Sequence, residues 1–398
     1  MPGFELFGDQ ERAQVQDVLD SGVLMRYGFD GRRNGHWKAV ELETALAGRM
    51  QVRHAQLVSS GTSALTTALA SAGVGAGDEV IMPTFTFVAS FESILAIGAV
   101  PVLVDVDNTL TLSPKAVEKA ITANTKVVMP VHMCGSMADL KALGSLCGKH
   151  GLLLVEDACQ AIGGTFEGKP LGSYGDLGCF SFDYVKTITC GEGGAIITDN
   201  DTYKSNADHY SDHGHDHVGK DRGAESHPFL GYNYRISELN AAVGLAQLAR
   251  LDEFLALQKK NYSIVREALE AIPEITFRRV PDGGVESYAF LNFFLPDADT
   301  AKKAHSALGE AGVDACFYWY DNNWHYYRKW EHLIHRRTLG KLPQEVYDGL
   351  PDYSKSDFSK SDHWVGRNIS CLIKLGWSDD EVHERAEKIM AAVQGVLR

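Results

Sequence analysis

The stretch FSFDYVKTITCGEGG, residues 180–194, runs from an apolar strand into Lys186 and on into a glycine-flanked turn; a second apolar run, GGAIITDN, follows. Separated only by a glycine-containing segment, CFSF and GGAIITDN can pair as antiparallel neighbours. Upstream, short Val/Ile/Leu-rich runs alternate with helical patterns: QLVSS after residue 55, EVIMP after 78, VPVLVDVD after 99, KVVMPVH after 125 and GLLLVEDA after 150. Alternation of this kind marks an α/β sheet, and runs that are apolar almost throughout suit strands covered on both faces. The expected fold class is α/β, with a mixed, mostly parallel central sheet.

From about Arg250 the pattern changes to a long helix, LDEFLALQKKNYSIVREALEAI, then strand-like TFRRV and YAFLNFFL, then a helix AKKAHSALGEAG. A smaller α+β unit is expected there, dividing the chain into 1–250, with an N-terminal arm, and 251–398. Ser378 to Glu381 forms a capping box ahead of a terminal helix whose Val382, Ile389, Met390 and Val393 share one face. The segment FYWYDNNWHYYRKW, 317–330, crowds aromatics as either a packed interface or a substrate wall, and PDYSKSDFSKSDHW, 351–364, reads as a polar loop.

Composition narrows the function. At 398 residues with 44% hydrophobic content the chain can bury a substantial core, and its net charge of -14 argues against a nucleic-acid or anionic-membrane binder. Seven cysteines without CxxC spacing favour neither a disulfide framework nor a zinc ribbon and fit a reducing compartment. No apolar run reaches ~18 residues and no leader pattern opens the chain, so a cytoplasmic protein is expected.

Several residues carry candidate chemistry. Burial lowers a lysine's ammonium pKa and frees the amine to condense with an aldehyde, so Lys186 is a candidate Schiff-base residue; the alternative is a solvated loop lysine. Between a strand and the helical run ALTTALASAG lies SSGTSAL, where Gly61, Thr62 and Ser63 offer amides, hydroxyls and a helix dipole to a phosphate, or an ordinary helix cap. Asp157 ends a strand, where open α/β sheets present ligand groups, and can pair with a protonated ring nitrogen or cap the next helix; Glu156 beside it serves equally in sequence terms. Gln160 falls on the same side if a helical turn follows, Phe87 can stack on a planar cofactor or fill the core, and Ser181 can donate to phosphate. Gly163 to Lys169 has P-loop spacing, but Pro170 replaces the magnesium-binding hydroxyl and the segment reads as a tight turn, so a nucleotide site is excluded there. His209, His213, His215 and His217 alternate as in a loop, and no metal is expected.

Taken in order, SSGTSAL, PTFTFVAS, VEDACQAIGG, GSYGDLGCFSF, Lys186 with GEGGAIIT, and GYNYRISELNAA resemble the DegT/DnrJ/EryC1/StrS aminotransferase family of sugar-modifying enzymes over nearly the whole chain. The resemblance implies an aspartate-aminotransferase type of fold, pyridoxal 5'-phosphate as cofactor, and a homodimer with active sites shared at the subunit interface. It gives Lys186 the Schiff base, Asp157 the ring nitrogen, Gln160 the phenolic oxygen and Phe87 the ring face. Gly61, Thr62, Ser63 and Ser181 would cradle the phosphate, with Asn233 reaching the cofactor of the second copy. L-glutamate is the expected donor and a sugar aldehyde or ketone the acceptor; a regulatory protein that binds the cofactor without turnover is the competing class. The segments LMRYGFDGRRNGHW, HYSDHGHDH and 317–330 depart from the commonest pattern, and as a whole the chain resembles a branch of the family whose acceptor is an octulosonate C8 aldehyde; a nucleotide-linked keto-sugar is the alternative. A sugar acid needs a cationic clamp, for which Arg26, Arg32, Arg33 and Lys38 are the densest supply. His213, His215 and Tyr318 are further candidate substrate contacts.

Overall fold

A computed structural model describes residues 2–219 and 222–398. The strands are β1 (His54–Val58), β2 (Glu79–Pro83), β3 (Val100–Val104), β4 (Thr125–Val128), β5 (Leu153–Asp157), β6 (Thr165–Phe166), β7 (Lys169–Pro170), β8 (Leu177–Ser181), β9 (Gly194–Thr198), β10 (Thr276–Phe277), β11 (Gly284–Val285), β12 (Phe290–Phe294), β13 (Cys316–Phe317) and β14 (Asn368–Leu372). Seven form the main sheet in the order β1-β9-β8-β5-β4-β2-β3. Neighbours are parallel except at β9, which runs against both β1 and β8. The two runs flanking Lys186 thus pair as expected, Phe180 opposite Ala195 and Ser181 opposite Gly194.

Strand residues alternate between two buried layers, which is why these strands read as unbroken apolar runs. Val80, Met82, Val127 and Val155 face the core under the helices Gly61–Ser71 and Ala89–Ala96. Ile81, Val128 and Leu154 face the opposite core, closed by Pro114–Ala120 and Leu140–His150. The second sheet, β10-β12-β14-β13, is antiparallel throughout and packs against the long helices Leu251–Glu270, Ala298–Glu310 and Asp379–Leu397. The last of these opens with the expected capping box, in which the Glu381 amide donates to Ser378 Oγ at 3.3 Å. β6 and β7 make the expected tight turn, with Glu167 at φ 48° and Gly168 at φ 81°.

The segment 317–330 packs against the main sheet. Trp319, Tyr326, Tyr327 and Trp330 join Phe85 and Phe91 in the core there, each such burial worth about 1.5–3 kcal/mol. The stretch 351–364 is no polar loop: Tyr353 and Phe358 are buried in the same core and Ser359–Gly366 is helical. Its polarity serves backbone that has left the sheet. Ser361 Oγ donates to Asp105 at 2.8 Å and accepts from the Val106 amide at 3.0 Å and Thr84 Oγ1 at 2.8 Å, so chain ends beyond β2 and β3 find partners. No helix among the described residues is long and apolar enough to cross a membrane.

Candidate active site

The C-terminal ends of the parallel strands converge on a cavity of about 410 Å³, the place where open α/β sheets present ligand groups. Gly61 and Thr62 follow β1, Thr86 and Phe87 follow β2, Asp157 ends β5, Ser181 ends β8, and Lys186 enters from the loop between β8 and β9. Phe317, Trp319, Asn322 and His325 close the other side.

Strand alternation separates the two adjacent carboxylates. Asp157 points into the cavity, where Oδ2 accepts from Ser90 Oγ at 2.7 Å and Oδ1 from the Cys159 amide at 3.2 Å. Ser90 is tied in turn to Thr86 Oγ1 at 2.7 Å. Glu156 points away and is wholly buried against His132 Nε2 at 2.7 Å and the amides of Gly172, Tyr174 and Gly175 at 2.9, 2.7 and 2.7 Å. Burial alone would raise the Glu156 pKa, but His132 and these amides outweigh it and hold the carboxyl below its ordinary 4.5. With the folded value below the unfolded one, the ion's contribution to stability is complete above pH 4.5 and is lost as pH falls through the depressed value. Glu156→Gln should therefore lower neutral-pH stability by about 1–3 kcal/mol and flatten the acid limb of the stability curve, as read from denaturant melts between pH 3 and 7. An acid limb as steep as that of the unaltered chain would contradict this account.

Gln160 Oε1 accepts from the Cys134 amide at 3.0 Å, which leaves its amide nitrogen to the cavity. Phe87 is 37% exposed and stacks on Trp324 with centroids 5.6 Å apart. Gly61 is compelled by crowding: a Cβ there would lie 2.7 Å from Ser181 Cβ and 3.2 Å from Cys159 Sγ. Ser63 stands behind this cradle rather than in it, because its amide donates to Ser60 Oγ at 3.0 Å and its hydroxyl accepts from the Ser60 amide at 2.8 Å. The phosphate candidates brought to the cavity are Gly61, Thr62 and Ser181.

Lys186 makes no ion pair among the described residues, and its loop is pinned from outside. Gly3 donates its amide to the Lys186 carbonyl at 2.9 Å, and Asn240 Nδ2 donates to the carbonyls of Cys190 at 2.8 Å and Glu192 at 2.9 Å.

Other sequence candidates lie elsewhere. Arg26 is buried on Glu43 at 2.7 Å, Arg33 on Glu238 at 3.2 Å and the Gly28 carbonyl at 2.7 Å, and Lys38 on Asp17 and Gln14, each at 2.7 Å. These three cations are taken up by intramolecular partners, and Arg32 is exposed; none of the four lines the cavity. Tyr318 lies between the end of β13 and the short 3-10 turn Trp319–Asp321 and is turned away: Phe317 and Trp319 line the cavity while Tyr318 joins the core of the second sheet. His213 is exposed and His215 lies 3.0 Å from Glu225, both outside the cavity. Asn233 is exposed and bridges to Asp212, whose buried carboxylate is held by Arg222 at 2.7 Å and by Arg235. Sequence reasoning missed Ser90, Thr86, Asn240, Asn322 and His325. Ser90 left a signal, three residues beyond Phe87 on an entering helix, and Asn322 and His325 fall in the aromatic segment read as a packed interface or a substrate wall.

An unpaired lysine, a buried carboxylate and a glycine-lined anion cradle around one cavity define a pyridoxal-phosphate-dependent aminotransferase on this fold. The cradle that a side chain would fill at Gly61, the fixed Asp157, and Lys186 on the same cavity wall fit that cofactor. The chain belongs to the DegT/DnrJ/EryC1/StrS aminotransferase family, whose model matches residues 7–393. It is 34% identical to the GDP-perosamine synthase of Vibrio cholerae over 376 residues, 94% of either chain. It is also 42% identical over 227 residues to that of Caulobacter vibrioides, 56% of this chain and 59% of the other. Among solved structures, an aminotransferase from Psychrobacter cryohalolentis superposes with a TM-score of 0.85 at 25% identity, covering 98% of both chains. The protein is thus a pyridoxal-phosphate-dependent sugar aminotransferase.

Proposed function

We propose that this chain moves an amino group from L-glutamate to the carbonyl of a nucleotide-linked keto-sugar. The observation that carries the acceptor class is the 34% identity to a GDP-perosamine synthase across 94% of both chains. The taking up of Arg26, Arg33 and Lys38 by internal acids removes the main argument for a sugar-acid acceptor. An octulosonate C8 aldehyde remains the second reading, because Phe317 and Trp319, which wall the cavity, come from a segment that departs from the family's commonest pattern.

When bound, the cofactor supplies an electron sink for the bond changes at the amino-bearing carbon. The chain's own groups do the rest. Lys186 Nζ would hold the cofactor and would be the base that carries the proton at the reacting carbon. Asp157, oriented by Ser90 and the Cys159 amide, would keep a ring nitrogen protonated. Gln160 would offer its amide N–H to the ring oxygen, Phe87 would cover the ring, and Gly61, Thr62 and Ser181 would receive the phosphate, with Ser63 bracing the turn. We assign the cofactor-holding unit to 1–250 and the covering unit to 251–398. Asn233, exposed and not among the residues lining its own cavity, would complete the phosphate site of a second copy in a homodimer; Phe229, Leu230 and Tyr232 beside it present exposed apolar surface for that contact.

The deciding experiment is an amination assay with L-glutamate, offering GDP-linked keto-sugars and the octulosonate aldehyde separately and locating the nitrogen by mass spectrometry. Amination of the octulosonate alone would overturn the nucleotide-sugar acceptor. Consumption of L-glutamate with no amino sugar formed from any acceptor would overturn the function.

A further inference from the structure

The aromatic segment brings to the cavity one nitrogen that none of these roles uses. His325 sits where the chain pairs with the turn after β2: Thr86 donates its amide to the His325 carbonyl at 3.0 Å, and Val88 to that of Trp324 at 2.8 Å. Its ring lies against Trp319, centroids 4.5 Å apart, and Phe87, 5.3 Å, and it shares the cavity wall with Lys186.

The hydrogen bonds settle which nitrogen carries the proton. Asn322 Oδ1 receives both the Trp324 amide and His325 Nδ1, each at 2.9 Å. A backbone N–H only donates, so that atom of Asn322 is the oxygen; the oxygen only accepts, so Nδ1 bears the hydrogen. Nε2 is left as a lone-pair acceptor with no hydrogen-bond partner among the described residues. Burial pushes the imidazole pKa down to about 3 and the charge of Lys186 acts in the same direction, so the ring is neutral at physiological pH. The other charged groups on the cavity wall are Asp157, Asp183 and Glu192. On neighbouring elements, Asp321 pairs with Lys329 at 3.0 Å and Glu92 lies 3.7 Å from His332.

We propose that His325 is a substrate-positioning residue whose neutral Nε2 accepts a hydrogen bond from a hydroxyl of the sugar acceptor, beside the carbonyl presented to Lys186. L-glutamate has no hydroxyl to offer, so His325 acts on one half-reaction and not on the other. The inference rests on the sugar-aminotransferase reading and deepens it: Asn322 and His325 together select polyhydroxylated carbonyl compounds over amino-acid-derived keto acids.

The test uses cofactor-loaded protein and follows each half-reaction by the cofactor's absorbance, with L-glutamate on one side and GDP-linked keto-sugars or the octulosonate aldehyde on the other. His325→Phe keeps a ring between Trp319 and Phe87 but removes both nitrogens. It should lower the acceptor half-reaction's kcat/KM roughly 10- to 100-fold relative to the L-glutamate half-reaction. His325→Gln can donate to Asn322 through its amide nitrogen and present its oxygen to the cavity, and should recover most of that loss. Asn322→Asp keeps both acceptor contacts but sets a charge beside Nδ1, raising the imidazole pKa. Below that raised value Nε2 becomes a donor, so the acceptor half-reaction should acquire an acid limb at higher pH than in the unaltered enzyme, one that the donor half-reaction lacks. Equal losses in both half-reactions, or a Gln variant no better than Phe, would overturn the proposal. Failure of the unaltered enzyme with every acceptor would instead sink the functional reading, and this inference with it.

Discussion

Lys186→Ala is expected to reduce amino transfer by at least roughly 10³-fold in both half-reactions, since in the proposed mechanism one amine would both hold the cofactor and carry the proton. The protein should stay folded. Lys186 has no ion pair among the described residues to strand, and its two backbone hydrogen bonds, to Asp183 and from Gly3, do not depend on its side chain. The measurement pairs kinetics with borohydride treatment and peptide mapping: the unaltered, cofactor-loaded protein should be fixed at residue 186 and the variant nowhere. Undiminished turnover in the variant would remove Lys186 from the mechanism, and a collapsed melting curve would make the loss uninformative, in which case Lys186→Arg takes its place.

Asp157→Asn is the second large effect. Asparagine fits the same space and can keep the Ser90 contact at Oδ2, which the carboxylate makes at 2.7 Å, but it cannot hold a ring nitrogen cationic. A loss of roughly 10²–10³-fold is expected, the range seen when one preorganised electrostatic partner is removed from an active site. The ring nitrogen serves both directions of transfer, so donor and acceptor half-reactions should fall together, in contrast to the unequal effect predicted at His325. Ser90→Ala, which only loosens the carboxylate, should give a smaller loss in the same even pattern. An Asp157→Asn enzyme that loses only one half-reaction would mean that the carboxylate contacts a substrate instead.

The sheet was legible because every strand lies between two cores, so Val80, Ile81 and Met82 could all be apolar whichever way they point. The same doubling hid the distinction between Glu156 and Asp157, since both ends of the alternation are buried and either carboxylate reads as a strand terminus. Lys186 was legible from its setting between two pairing strands. The partners of Arg26 and Arg33 were not legible, because local charge density says nothing about acids brought from Glu43 and Glu238, the latter some two hundred positions away. Where Tyr318 points was not legible either: in a run of aromatics, nothing in composition tells that the chain leaves β13 at Phe317 and turns at Trp319, which sends Tyr318 into the second core. His325 could not be found for a related reason, as its tautomer depends on Asn322 and on a backbone amide whose direction only the folded chain defines.

The contacts of Ser361 bear on how this chain is made. One hydroxyl joins Asp105, Val106 and Thr84 across more than 250 positions of sequence, and Trp330, Val346, Leu350 and Phe358 complete the core over the main sheet. During synthesis the sheet strands therefore emerge long before the residues that cover one of their faces. Loop closure of that length is slow and leaves apolar surface bare meanwhile. A nascent chain stopped near residue 300 should be held by chaperones or aggregate, whereas one released beyond residue 366 has every piece of that core in hand.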